Sequence, residues 1–374
     1  FYFSPSNRPA KRQGQIAEAD DVALVLHTSG TTSRPKMVPL SQRNLCTSAE
    51  NIKRTLELTT RDICLNVMPL FHIHGLVAAL LSSLASGGSL ICTAGFDANR
   101  FFGWIGQYQP TWYTAVPAIY QSIISHGSEY RRAAPDHAFR FLRSASAALA
   151  PGTLHEIEEL FQAPLIEAYG MTEACNQIAS NPLPPAARKA GSVGVAAGAE
   201  IKIMDETGQQ LEPGQHGEIV IRGAGVIAGY ENNPDANARA YTDGWFHTGD
   251  QGFLDDEGYL FITGRLNEII NRAGEMISPR EVDEALLVHP AVVQATAFAV
   301  PHGTLGEDIA AAVVLRDGHV VTEAELREHL FGKLADYKVP SRIIFLDEIP
   351  RGAIGKVQRS SLHEKFAAAL EQAY

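Results

Sequence analysis

From Asp21 to about Gly191 the chain repeats one unit, a short apolar run followed by a stretch with helical spacing, and this repeat limits the fold more than any other feature. Val22–His27 reads as a buried strand that ends in a Thr/Ser/Gly loop. Ser41 is placed to cap a helix running through Asn44, Leu45 and Ile52. Ile63–Met68 reads as a strand, and Leu76–Leu84 as a helix closed by Gly87 and Gly88. Ser89–Thr93, Trp112–Val116, Phe141–Ser144 and Leu165–Tyr169 read as further strands. Repeated strand–helix units predict a mostly parallel sheet covered by helices. Sites in such sheets form in the loops at the carboxyl ends of the strands.

The texture then changes twice. Short strands at Ala199–Met204, Gly217–Arg222 and Tyr259–Thr263 are separated by turn residues at Asp205–Gly208, Pro213–Gly214 and Asp256–Gly258. They predict a small antiparallel subdomain or barrel over 191–265. Beyond Leu266, strands are expected at Ala295–Val300, Ala311–Leu315 and Arg342–Leu346. Thr322 and Glu325 form the capping-box pattern of a helix reaching Leu334. The expected fold is α/β, with a large N-terminal domain over 1–265 and a small α+β domain over 266–374, joined at Arg265–Asn267.

At 45% hydrophobic and 20% charged, the 374 residues suit a globular chain with a sizeable core. No apolar run approaches the roughly 18 residues of a membrane span. The Phe1–Pro5 start lacks the charge and long apolar stretch of a secretory signal. A net charge of −11 argues against nucleic acid as a partner but not against nucleotides. Cys46, Cys64, Cys92 and Cys175 have neither a C-x-x-C pair nor a zinc-ligand spacing. They read as buried free thiols of a reducing compartment, which predicts a cytoplasmic location.

The first chemical signal is Thr28-Ser29-Gly30-Thr31-Thr32-Ser33-Arg34-Pro35-Lys36, placed directly after a strand. Small hydroxylated residues and a glycine offer N–H and O–H donors to phosphate oxygens, and Arg34 and Lys36 add positive charge. It is not a Walker A loop, because no glycine precedes Lys36 and Met37 stands where a magnesium-binding Ser/Thr would be. On this segment alone, a plain polar surface loop is an equally good reading.

The segment resembles the phosphate loop of the adenylate-forming superfamily: acyl-CoA synthetases, luciferases and peptide-synthetase adenylation domains. Further motifs resemble the same family in the same order. They are Met68–Gly75 with His72 and His74, Glu167-Ala168-Tyr169-Gly170-Met171-Thr172-Glu173, Trp245–Asp250, Gly264-Arg265, Gly274–Pro279 and Gly355-Lys356. The resemblance implies an ATP-dependent acid–CoA ligase using Mg²⁺ and coenzyme A. Its longer members imply that the N-terminal part of the family fold is missing from this chain.

By the same resemblance, Thr28, Ser29, Gly30, Thr31, Thr32, Lys36, Ser146, Glu167, Ala168, Tyr169, Thr172, Asp250 and Arg265 contact ATP. Tyr169 packs on adenine, Thr172 bonds the α-phosphate, Asp250 accepts both ribose hydroxyls and Glu173 holds Mg²⁺. Lys356 bridges the carboxylate and the α-phosphate, and His72 gates the acid. Ala273, Gly274 and Glu275 face coenzyme A, and Asn267 is the hinge. Without the resemblance each would have a plain structural reading: Glu173 a salt-bridging carboxylate, Asp250 a turn former, Arg265 and Lys356 solvated cations.

The Ser33-Arg34 step in the phosphate loop, Ser180–Pro184, Trp112–Pro117 and Arg143–Ala147 resemble the oxalate–CoA ligase group. A second substrate carboxylate needs donors or cations, for which His72, His74, Ser144 and Asn176 are the candidates. Asn176 departs from the histidine usual in that group, and an amide brings no positive charge. The acid expected is small and polar, with oxalate leading. The alternatives are a medium- or long-chain acyl-CoA synthetase, a luciferase-like oxygenase, or a peptide-synthetase adenylation domain.

Overall fold

The computed structural model describes residues 16–28, 35–127, 137–350, 357 and 359–371. Strands β1 (Val22–His27) and β2 (Met37–Ser41) form an antiparallel hairpin. Then come β3 (Ile63–Asn66), β4 (Ser89–Cys92), β5 (Trp112–Ala115), β6 (Phe141–Ser144), β7 (Leu165–Met171), β8 (Asn176–Ser180) and β9 (Val195–Ala196). They make one sheet in the order β4-β3-β5-β6-β7-β8-β9, parallel from β4 to β7 and antiparallel beyond.

The sheet's two faces follow from side-chain alternation along each strand. Cys64, Trp112, Phe141 and Ile166 point to one face. They pack there with the helix Gln42–Thr55 (through Ile52), with Val77, and with the second sheet through Ile219 and Phe246. Leu65, Tyr113, Leu142 and Leu165 point to the other, against Phe101, Ile105, Tyr120, Ile123, Ile157 and Phe161. The helix Gln42–Thr55 starts where Ser41 accepts from the Asn44 N–H and Asn44 answers to the Ser41 N–H. Lys53 and Arg54 lie in its last turn, where cations suit the helix dipole.

The second sheet contains β10 (Glu200–Met204), β11 (Gly217–Arg222), β12 (Tyr241–Thr242), β13 (Trp245–Leu254) and β14 (Leu260–Arg265). All its pairings are antiparallel, with the long β13 holding β11, β12 and β14. A 3₁₀ turn, Leu266–Glu268, leads to the third sheet. That sheet is built from β15 (Ile270–Arg272), β16 (Glu275–Ile277), β17 (Val292–His302), β18 (Gly306–Leu315) and β19 (Arg342–Phe345). One of its faces is filled by Val282, Leu286, Leu326 and Leu330, and Leu362 lies in a smaller cluster with Phe298, Ala310 and Ala312. The Thr322–Glu325 capping box is present, and its helix ends at Phe331 rather than Leu334.

Three expectations need correction. The strand Val22–His27 exists but is not buried: Val22 is 57% and Val25 44% exposed, because among the described residues it pairs only with β2. The expected helix over Leu76–Leu84 begins as a π-helix, His74–Leu81, and becomes α only over Ser82–Ala85. All four cysteines are free, yet only Cys64 and Cys175 are buried while Cys46 and Cys92 are exposed.

Candidate active site

Asn66, Thr114 and Arg143 occupy matching registers at the carboxyl ends of β3, β5 and β6, on the sheet face that carries Trp112 and Phe141. Polar side chains here interrupt runs that are otherwise apolar. Thr114 bonds the His74 ring, with Nε2 2.6 Å from Thr114 Oγ1, while His74 Nδ1 lies 3.0 Å from Ser146 Oγ. His74 is fully buried at the head of the π-helix, and its backbone N–H donates to His72 Nδ1. The next residue has to be glycine, since a Cβ at Gly75 would lie 2.4 Å from the Pro69 carbonyl oxygen.

Arg143 is 1% exposed. Its guanidinium donates to Thr114 Oγ1 at 3.3 Å, Asn176 Oδ1 at 3.3 Å and Gln177 Oε1 at 3.4 Å, all neutral acceptors. Its Nε has no hydrogen-bond partner among the described residues. Burial lowers the guanidinium pKa to about 10, which leaves it charged near neutrality. Asn176 follows Cys175, and both have left-handed backbone at φ +98° and +51°, a conformation that costs non-glycine residues energy. The turn is pressed against β7 so closely that a Cβ at Gly170 would lie 1.4 Å from the Asn176 carbonyl oxygen.

Of the expected acid-side residues, the structure brings His72, His74 and Asn176 towards this cluster but not Ser144. Register pairs Ser144 with Ala115 and Glu167, one step out of phase with Arg143 and Thr114, so alternation sends it to the other face. Its hydroxyl is buried there without a hydrogen-bond partner among the described residues. Glu167 shares that face, and burial raises its pKa to about 7, with Arg280 the strongest opposing influence.

Beyond β7 lies a second group. Tyr169 donates its hydroxyl to Asp250 Oδ2 at 2.5 Å, and Arg265 Nε lies 3.0 Å from Asp250 Oδ1. Burial, then the Asp250 carboxylate, push the Tyr169 hydroxyl well above its ordinary pKa, and Asp250 raises that of Arg265. Ala168 is buried beside them and Thr172 half-buried. Glu173 is 7% exposed and accepts from the Tyr230 hydroxyl at 2.9 Å. Lys36 sits over the Tyr230 ring, 4.4 Å from its centroid. Thr28 and Lys36 bond each other twice and so tie the two ends of the phosphate loop together. Ser29, Gly30, Thr31 and Thr32 lie outside the described residues, as does Lys356.

In the C-terminal part, Ala273 and Gly274 form the left-handed turn between β15 and β16. Ala273, Gly274 and Glu275 are exposed, and the turn's backbone bonds to Leu305 and Asn271 stay within that sheet. Asn267 lies in the 3₁₀ turn, whose Glu268 pairs with Arg359 at 3.1 Å. Arg359 also reaches Asp283 at 2.5 Å, Thr296 and the Ala297 carbonyl.

The family model described as AMP-binding enzyme matches residues 3–231, and that of the AMP-binding enzyme C-terminal domain matches 281–356. The chain belongs to the AMP-binding enzyme family. Among relatives of this AMP-binding enzyme, the oxalate–CoA ligase of Arabidopsis thaliana is 49% identical over 94% of this chain and 69% of its own length. The oxalate–CoA ligase of Saccharomyces cerevisiae is 44% identical over 97% of this chain and 66% of its own. The ATP-bound MatB of Rhodopseudomonas palustris superposes with a TM-score of 0.88 at 32% identity, covering 95% of this chain and 70% of that one. The chain thus spans about two thirds of the length of these relatives.

Sequence reasoning passed over Arg143, Thr114, Gln177 and Tyr230 as site residues. Arg143 had a signal: an arginine inside the apolar strand Phe141-Leu142-Arg143-Ser144 of a parallel sheet. Tyr230 had none, since its bond to Glu173 joins residues 57 positions apart.

Proposed function

We propose that this AMP-binding enzyme activates a small, polar carboxylic acid, oxalate first, and passes it to coenzyme A. It is an ATP-dependent acid–CoA ligase. A carboxylate oxygen attacks the α-phosphorus, giving acyl-AMP with loss of pyrophosphate. The coenzyme A sulfur then attacks the acyl carbon, giving the thioester, AMP and the released thiol proton. The observation that carries the small, polar acid is the wall formed by His74, Thr114, Arg143 and Asn176, each at most 5% exposed and bonded through polar groups. An aliphatic tail would leave the Arg143 guanidinium without a charged partner, which is how polar sites reject apolar analogues. The relatives named for oxalate support the same reading.

In this reading Asp250 accepts the ribose hydroxyls and Tyr169 lies against the adenine. Thr172 bonds the α-phosphate, and the Thr28–Lys36 loop, Ser146, Glu167 and Ala168 complete the ATP contacts. Glu173 fits Mg²⁺, being one well-held carboxylate beside a phosphate loop, and Mg²⁺ commonly takes one or two carboxylates plus phosphate oxygens. Bound there, the ion would neutralise charge on the phosphates. Lys356 steadies the developing charge of the adenylation step, and His72 gates the acid. The part beyond Arg265 turns about Asn267 to exchange Lys356 for the Ala273–Glu275 turn at the acyl group. Exposed free thiols at Cys46 and Cys92 favour a reducing, cytoplasmic setting.

Pyrophosphate release measured with oxalate, malonate, acetate, butyrate and octanoate, with and without coenzyme A, tests the reading. Oxalate should have the highest kcat/KM, and coenzyme A should convert its adenylate to thioester. A clear win for butyrate or octanoate would overturn the polar-acid reading.

A further inference from the structure

We propose that Arg143 determines acid specificity as the counter-charge for a second anionic group on the substrate, a role that rests on the polar-acid reading above. Asn176 brings no positive charge to the pocket, yet its amide oxygen accepts a hydrogen bond from a guanidinium that does. Arg143 is 1% exposed, so its charge has left water. None of the ion pairs among the described residues includes it, and its three side-chain acceptors are neutral oxygens at 3.3–3.4 Å, the long end of hydrogen bonding. A buried cation without an anion is unfavourable and calls for a reason. An anionic group entering from the substrate supplies one. The guanidinium fork presents paired N–H donors that match a carboxylate or sulfonate, and its Nε has no partner among the described residues.

Its position agrees. Arg143 shares the carboxyl-terminal edge of the sheet with Asn66 and Thr114, and Thr114 bridges it to His74. The reactive carboxylate must point towards the nucleotide group beyond β7, while a second charge on a two-carbon acid would meet the Thr114–Arg143–Asn176 side. A monoanion leaves the guanidinium as uncompensated as it is in the free enzyme and gains nothing from it, and this makes the cation a selector rather than general glue.

The test compares wild type with Arg143→Met and Arg143→Lys, reading kcat/KM from pyrophosphate release for oxalate and sulfoacetate against acetate and glycolate. Arg143→Met should lose 100-fold or more for the two dianions, mostly through KM, and change less than threefold for the monoanions. Arg143→Lys should recover part of the dianion activity. Because the native cation lacks a counter-ion, Arg143→Met should melt at or above the wild-type temperature, and saturating oxalate should raise the wild-type melting temperature more than saturating acetate. An equal loss for all four acids, or a fall in melting temperature together with equal wild-type shifts by oxalate and acetate, overturns the role of Arg143. If Arg143→Met does not fold, the wild-type melting shifts decide alone. Wild-type preference for butyrate or octanoate would instead overturn the polar-acid reading itself, so the two failures are told apart.

Discussion

On the side proposed for the nucleotide, the Asp250 charge is already settled between neighbours, shared by Tyr169 and Arg265. On the side proposed for the acid, Arg143 hydrogen-bonds only neutral groups among the described residues. ATP is the same in every turnover, so in the proposed reading its contacts would be held ready by internal pairs that it replaces. The acid is what the enzyme must choose, and an unsatisfied charge makes that choice expensive to get wrong. A change on the nucleotide side should therefore scale all acids alike, and a change on the acid side should reorder them.

The largest effect expected on the nucleotide side is from Glu173→Gln. Pyrophosphate release should fall roughly 10²–10³-fold, the loss typical of a group that stabilises transition-state charge, by one common factor for oxalate and acetate. A factor that differed widely between acids would break the contrast between the two sides.

Glu167 is the acidic counterpart of Arg143, a buried charge on the opposite face of the sheet, and here the effect is on stability. Its pKa of about 7 lies above the ordinary 4.5, so the folded state holds the proton more tightly than the unfolded one. Its contribution is thus fully present below about pH 4.5 and is lost as pH rises to about 7. At about 1.4 kcal/mol per pKa unit, Glu167→Gln should be more stable than wild type by about 3 kcal/mol at pH 8 and equal to it at pH 4.5, as measured by urea unfolding. A gap that stays constant with pH would mean that Glu167 is not held in a dry site.

Asn267→Pro should leave pyrophosphate release within about twofold and slow thioester formation by about tenfold, because proline restricts the backbone on which the exchange of half-reactions depends. An unchanged ratio of the two rates, followed by quenched flow, would remove Asn267 from the hinge.

The smallest effect expected is that of Tyr230→Phe. It deletes one hydrogen bond to Glu173, about 1 kcal/mol, and should weaken apparent Mg²⁺ affinity about fivefold without reordering the acids. Any change in the ratio of oxalate to acetate would blur the division drawn here.

Much of this was legible in the sequence. Phe141–Ser144 and Gly217–Arg222 are strands with the expected bounds, and both expected caps, at Ser41 and Thr322, form. Alternation and capping are local rules, and local rules are what a sequence displays. The burial of Val22–His27 was misjudged because an apolar run does not reveal whether anything covers its faces. The π-helix at His74–Leu81 was missed because hydrogen bonding to the fifth residue leaves no pattern in an apolar stretch. Of the residues expected beside the acid, His72, His74 and Asn176 lie in one cluster with Thr114 and Arg143. Arg143 left one signal, a cation inside an apolar strand, but its lack of a counter-ion among the described residues shows only when the strands and the Asn176 turn are assembled around it.

Arg265 is the last residue of β14, one step ahead of the turn that contains Asn267, and it holds one of the two Asp250 oxygens. In the proposed reading, a ribose bound to that carboxylate would compete for the same oxygen. Arrival of the nucleotide would then loosen the residue adjoining the proposed pivot, and departure of AMP would let it re-engage. Occupancy of one pocket would thus be felt as slack at a joint for as long as the nucleotide stays, and the joint would tighten only when AMP leaves at the end of the cycle.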